Sequence, residues 1–386
     1  MASRTRPPAG GRWRFPDPPA LDRRDRLRCH ERKSAPLNRI ASLQALRAAA
    51  ALAVAMHHLS HEPYGLRAWT WLEHLPLTAG VDVFFVISGF VMVHASAGLA
   101  GTAGAWRVFM ARRLARIVPL YWLTTTFFLL AAAAFPGSVR SGMPAWPEIV
   151  ASYAFVPFQR ASGAIQPVYS LGWTLNHEMF FYVLFALFLP LARVRGVACV
   201  ALVLAGLVAA GRMFQPVHAA AIFWCDPIVL EFPLGMALAL MKGRGLSLPG
   251  ALRLVCAVLG LAALGLGETG WLPPPGFAPG AALVTAATVL GPEPRLPAFM
   301  ARCFGHLGDA SYALYLLHPF AFRSVTSIWR VLAPESFVAG IVAGLVALAL
   351  AMAIAQGSFR WVEGPATRRL GGRWRRPDGT AAAASG

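Results

Sequence analysis

The sequence predicts an all-α, polytopic membrane protein, with about ten transmembrane helices around an intramembrane cavity. Three observations carry this prediction. Of the 386 residues, 57% are hydrophobic and only 13% are charged. Apolar runs recur from about residue 41 to residue 357, each close to the ~20 residues that a helix needs to cross a bilayer. Lys and Arg recur in alternate connections, as positive-inside topology requires.

The first span, 41–60, overlaps LQALRAAAALAVAMHHLSH, which is mostly Ala, Leu and Val but carries Arg47 near one end and His57, His58 and His61 near the other. The second, 78–98, includes GVDVFFVISGFV; Asp82 enters the membrane with it, and Ser88 and Gly89 offer a small-residue surface for close helix packing. The inner loop FMARRLARIVPLYW then leads into the third span, 114–135, with Arg112, Arg113 and Arg116 at the charged end. The longest outer connection, about 136–169, contains IVASYAFVPF and is expected to form a short interfacial or re-entrant helix. SLGWTLNHEMFFYVLF opens the fourth span, 170–191. Apolar runs at 196–213, 219–241, 249–267 and 276–291 give the next four, and Asp226, Pro227 and Pro233 make 219–241 the least regular. The ninth span, 310–330, carries GDASYALYLLHPF, and the tenth occupies 337–357.

A formal net charge of +18 could suggest nucleic acid, but its placement argues for a membrane instead. Residues 1–39 hold eleven Lys/Arg and four acids, residues 360–386 hold six and two, and these two ends supply +11 of the total. The alternate loops add Arg107 to Arg116, Arg193 and Arg195, Lys242 and Arg244, then Arg295 and Arg302, a pattern that orients the chain and suits anionic lipid. No apolar stretch in 1–39 resembles a signal peptide, so the N-terminus is expected in the cytosol, and ten spans bring the basic C-terminal end back there. The expected division is a disordered basic cytosolic tail over 1–38, a membrane domain over 39–370, and a disordered cytosolic tail over 371–386. The expected location is the cytoplasmic (inner) membrane. The five cysteines show no CxxC or CxxH spacing, so neither a disulfide framework nor a metal site is expected.

Polar residues inside the spans mark a candidate site, because charge in hydrocarbon is costly. Eleven residues separate Arg47 from His58, which puts them within roughly 20° of one helix face and about 16 Å apart along it. Arg47 and His58 are then either interfacial anchors or two ends of one functional stripe. Thr174, Glu178 and Tyr182 fall at i, i+4 and i+8 on one face of the fourth span, with His177 beside them. An unpaired carboxylate there is expensive, and His58 is its expected partner, in either a structural bridge or an acid–base pair. Arg112, Arg113 and Arg116 are topology anchors or a phosphate site. His318, just before Pro319, either satisfies a helix kink or serves the site. Together these residues describe a cavity with His58 and Glu178 toward the outside and cations toward the inside, suited to a long anionic donor.

In their order along the chain, LQALRAAAALAVAMHH, GVDVFFVISGF, RRLARIVPLYW, SLGWTLNHEMFFY, LGDASYALYLLHPF and VEGPATRRL resemble the integral-membrane acyltransferase-3 family over roughly residues 38–370. That family includes O-antigen, exopolysaccharide, nodulation-factor and macrolide acyltransferases. The resemblance implies acyl transfer, usually of acetyl from acetyl-CoA, to a hydroxyl of a sugar, a lipid-linked glycan or a glycosylated small molecule. It implies that Arg47 and His58 are a functional pair, that the Arg112–Arg116 segment contacts the donor, and that Trp173, Glu178 and Tyr182 belong to the site. His177 is an added ionisable group within that motif.

The mechanism expected on this basis has His58, oriented by Glu178, removing the acceptor's proton as its hydroxyl attacks the thioester, with Asp82 supporting the outer end. In a variant, His58 itself is acylated first. Trp173, His177, Tyr182 and His318 are expected on the substrate side. No permanently bound cofactor is expected; acyl-CoA is the donor substrate. The rival expectation is a proton-coupled transporter or flippase of a glycolipid that uses the same groups as a relay, and the lack of an internal repeat weighs against it.

Overall fold

The computed structural model describes residues 40–62, 67–135, 143–269, 276–294, 296–332 and 336–372. The tail predicted over 1–38, and all but the first two residues of that predicted over 371–386, lie outside them. Among the described residues the elements are helical, and β pairing is confined to one isolated antiparallel bridge between Gln159 and Ile165.

The helices, in chain order, are α1 (Ala41–Ser60), α2 (Gly80–Ala95), α3 (Ala105–Ala134), α4 (Trp146–Tyr153), α5 (Trp173–Phe188), α6 (Arg193–Phe214) and α7 (Ala219–Trp224). They continue as α8 (Glu231–Gly243), α9 (Gly250–Glu268), α10 (Ala278–Val289), α11 (Ala298–Asp309), α12 (Ser311–Leu332), α13 (Phe337–Ser358) and α14 (Gly364–Gly372). Every predicted span position holds a helix. Six segments are long and apolar enough to cross a membrane: Leu77–Ala95, Ala105–Ala134, Arg193–Phe214, Ala219–Gly243, Gly250–Glu268 and Phe337–Arg369. The chain is thus a multi-pass membrane protein. The other four predicted positions fall short of that standard for separate reasons. In α1, Gln44, Arg47, His57 and His58 dilute the apolar run; α5 has 16 residues and α10 has 12; α12 carries His318, Arg323 and Arg330.

Of three connections, one holds the helix expected of it and two differ from expectation. The segment FMARRLAR is not a loop: α3 begins at Ala105, nine residues before the predicted 114, so Arg112, Arg113 and Arg116 ride on a 30-residue helix. The connection expected on the outer side holds a short helix, α4, which Trp122 Nε1 pins to α3 by donating to Tyr153 O at 3.0 Å. The basic inner connection around Arg302 folds as α11, whose Gly308 lies against Gln44 of α1.

Glycine decides how the core closes. Between α2 and α8, a Cβ on Gly89 would sit 2.0 Å from Phe232 O, and one on Gly235 would sit 1.8 Å from Val86 O. The two backbones therefore touch directly, the geometry that small residues permit in membranes and that GVDVFFVISGF foreshadowed at Gly89. Around this seam Phe232 stacks on Phe181 at 4.1 Å and tilts against Phe85 at 5.0 Å between ring centroids. Helix α1 packs against α2, α10, α11 and α12, which places its polar residues inside the bundle.

Two of the basic residues also cap a helix. Lys242 Nζ donates to Val289 O at 2.6 Å and Arg253 Nε to Ala287 O at 2.7 Å, satisfying carbonyls at the C-terminus of α10 where the helix dipole favours cations. At the opposite pole of a dipole, Glu293 accepts from Ser42 N at 3.1 Å at the start of α1.

Candidate functional site

Helices α1, α2, α3, α5 and α12 enclose a cavity of ≈110 Å³. Its charged side is built by Arg47, Arg113 and Arg116. Because α3 is helical here, Arg113 and Arg116 stand at i and i+3 and face the same way. Arg112 is one residue off that face and does not line the cavity, so the predicted arginine cluster resolves into two cavity-facing members and one outside it. The Arg113 guanidinium lies over the Phe109 ring at 5.7 Å, and its buried Nε has no hydrogen-bond partner. Arg47 donates to Gln44 Oε1 at 3.3 Å, and the charges nearest it are Arg116, Asp309, Glu363 and Glu178.

Glu178 lines the same cavity from α5, one turn before Tyr182. Its carboxylate accepts from Ser88 Oγ at 2.9 Å and from the Tyr182 hydroxyl. These two hydroxyls, not His58, are the partners that make the carboxylate tolerable inside the bundle. Val81, Phe84, Phe85 and Leu175 form an apolar wall beyond it, and Tyr315 closes the far side, donating to Leu171 O at 3.1 Å.

His58 lies outside that lining. Its Nδ1–H donates to Val54 O at 2.9 Å one turn back along α1, and its ring neighbours are His57 and His318, at 5.4 and 4.9 Å between centroids. His318 sits three residues beyond the cavity-lining Tyr315 and is fully buried; its Nδ1–H donates to Leu314 O at 3.0 Å, while its Nε2 has no partner. The predicted His58–Glu178 contact is therefore replaced by a His58–His318 contact. The reason is local: the i−4 carbonyl claims the His58 Nδ1, and Ser88 and Tyr182 claim Glu178. Arg47 reaches the cavity and His58 does not, so the two ends of the α1 stripe do not share this chamber.

The remaining predicted residues lie outside the cavity lining. Asp82, at the start of α2, faces Glu231 at the start of α8, away from the cavity lining. His177 is buried with its Nε2–H on Phe223 O at 3.1 Å and its ring stacked on Phe223 at 3.8 Å, and Trp173 meets Phe85 edge-on at 6.2 Å. Neither lines the cavity. Sequence reasoning passed over Glu231, Glu363 and Asp309, which bring carboxyl groups into the bundle. A carboxylate in an apolar run was the available signal for Glu231; Asp309 sits at a helix end and Glu363 beside basic residues, where acids are unremarkable.

The model of the acyltransferase domain matches residues 40–356, nearly the whole described chain. The exopolysaccharide production protein ExoZ of Rhizobium meliloti (strain 1021) is 37% identical over 275 residues, which is 68% of this chain and 83% of that protein. Acyltransferase MdmB of Streptomyces mycarofaciens is 30% identical over 320 residues, 74% of this chain and 79% of its own. No solved structure matches. Ordered landmarks, helical bundle and both relatives agree: the chain belongs to the acyltransferase-3 family and is an acyltransferase.

Proposed function

We propose that this is a ten-span O-acyltransferase of the cytoplasmic membrane, with both termini in the cytosol, which moves an acyl group from cytosolic acyl-CoA to a hydroxyl of a sugar or glycoconjugate. The observation that carries the reading is the cavity's polarity: Arg47, Arg113 and Arg116 stand at one side, with an apolar wall and Glu178 beyond. A CoA ester has the matching polarity, with phosphates at one end and a neutral thioester at the other, and guanidinium forks suit phosphate. The unpartnered Arg113 Nε is a donor free for such an anion. The name of ExoZ, an exopolysaccharide production protein, supports a sugar polymer or its precursor as acceptor.

In this reading Arg113 and Arg116 hold the donor while its arm runs past Glu178 and Tyr315 and carries the thioester out of the lined chamber to His58. His58 is the general base. The Val54 carbonyl fixes its tautomer, leaving Nε2 to take the hydroxyl proton as the acyl carbon is attacked. Glu178 then acts on the donor side of the reaction, through its field and its hold on Tyr182, and not as the orienter of His58.

The test uses the purified full chain in detergent micelles, following thiol release from acetyl-CoA with and without a glycan acceptor. Thiol release that depends on acceptor, and is lost in His58→Ala, is the expected result. A folded protein that yields no acylated glycan, yet moves a glycolipid between leaflets of vesicles, would make the chain a carrier instead.

A further inference from the structure

We infer that His318 is the second half of the base: a proton taken from the acceptor is held between the Nε2 atoms of His58 and His318. This rests on the reading of His58 as general base and adds a residue and a geometry to it.

The argument starts from tautomers. A carbonyl oxygen only accepts, so an imidazole nitrogen bonded to one carries the hydrogen. His58 Nδ1 lies 2.9 Å from Val54 O and His318 Nδ1 lies 3.0 Å from Leu314 O. Both neutral rings are therefore protonated at Nδ1 and bare at Nε2. Each is pinned by the carbonyl one turn back on its own helix, so neither tautomer can switch without breaking a buried hydrogen bond. The rings sit 4.9 Å apart and tilted by 55°, and the bare Nε2 of His318 is buried without a partner. Such an orphaned acceptor is costly in the resting protein. The two Nε2 atoms make no hydrogen bond to each other in the resting structure, and in the inferred step the rings close on each other to supply the missing donor once His58 Nε2 becomes N–H⁺. Of the other rings in contact, His57 lies 5.4 Å from His58 with His61 beyond it, and Phe322 lies 5.3 Å from His318. Among the described residues no carboxylate hydrogen-bonds to either ring, so the second imidazole is the group placed to stabilise the cation.

The step balances. The acceptor O–H bond breaks and an N–H bond forms at His58 Nε2; the oxygen bonds to the acyl carbon of the thioester. The C–S bond then breaks with its electron pair on sulfur, and the shared proton passes to that thiolate. In resting form the pair is short of one proton, which is the state a base requires.

Two substitutions separate this role from a purely structural one. In His318→Asn the amide N–H keeps the bond to Leu314 O but nothing remains at the Nε2 position; in His318→Gln an amide oxygen returns near Nε2 while the Leu314 bond is lost. The expected result is a fall in kcat of about ten- to a hundredfold for Asn, the size of one charge-assisted hydrogen bond, with KM for acetyl-CoA unchanged and Gln less impaired. Full turnover in the Asn variant, or loss in Gln alone, would overturn the inference and leave His318 a kink residue. Full acceptor-dependent turnover in His58→Ala would instead remove the general-base reading itself. Should neither His318 variant fold, ¹⁵N spectra of the unmodified protein decide: both rings must carry hydrogen at Nδ1 and none at Nε2, and an Nε2–H at either ring refutes the pair.

Discussion

A carboxylate in an apolar bundle is held by whatever donates to it, and both donors to Glu178 are hydroxyls. An amide would accept the same two hydrogen bonds without the charge. Glu178→Gln is therefore expected to keep its thermal midpoint within a few degrees and to lose activity by about a hundredfold, the lower end for a group acting electrostatically in the reaction; thermal unfolding and thiol release measured on one preparation check both halves. The arginines make a paired prediction. Arg113→Ala should raise KM for the acyl donor about tenfold or more, whereas Arg112→Ala, whose side chain is off the cavity, should leave it within about twofold. At this scale the sequence spoke clearly wherever a charge interrupted an apolar run, which is how Arg47 and Glu178 were found, and helical spacing from Glu178 then reached Tyr182. It was silent on partners. The contacts of Glu178 with Ser88 and of His58 with His318 join residues 90 and 260 positions apart, and nothing local to either member records the other.

Among the elements, the α2–α8 seam tolerates least. Gly235→Val drives a side chain into Val86 O and should cost at least about 3 kcal/mol, whereas Gly206→Ala on α6, where a Cβ meets nothing within 4 Å, should be neutral or slightly stabilising. Thermal unfolding in detergent separates them. Existence and rough position of helices were legible, because most of the apolar runs come close to a bilayer's length. Boundaries were less so. The third span was expected to start at 114, after a basic loop, yet the helix runs continuously from Ala105 through Pro119; basic residues read as a loop are equally good helix formers. The amphipathic α11 was missed as well, since a 12-residue helix that carries Arg302, His306 and Asp309 lacks a span's signature.

For the whole molecule, the ten-span proposal fixes which ends meet which side. Lys242 and Arg253 cap α10 at the charged side, and Thr78 donates to Glu268 at 3.2 Å at the other. In a background without native cysteines, Arg244→Cys should react with a membrane-impermeant maleimide only after permeabilisation and Glu268→Cys on intact cells. Labelling of both from one side would break the topology. Function at this scale was legible through ordered landmarks along the chain, each weak alone, while the cavity's true lining needed the packing of five helices that no single segment encodes.

The uninterrupted run of α3 has one more consequence. Thirty residues at 1.5 Å each make a rod of about 45 Å, against roughly 30 Å of hydrocarbon. The surplus is expected at the end that bears Arg107 to Arg116, where the charges favour water and headgroups over hydrocarbon. A thicker bilayer would then carry the arginine end of the cavity deeper below the headgroups, and a thinner one would bring it closer to water. Turnover should thus track the acyl-chain length of the host lipids, so that the surrounding membrane itself tunes the catalyst.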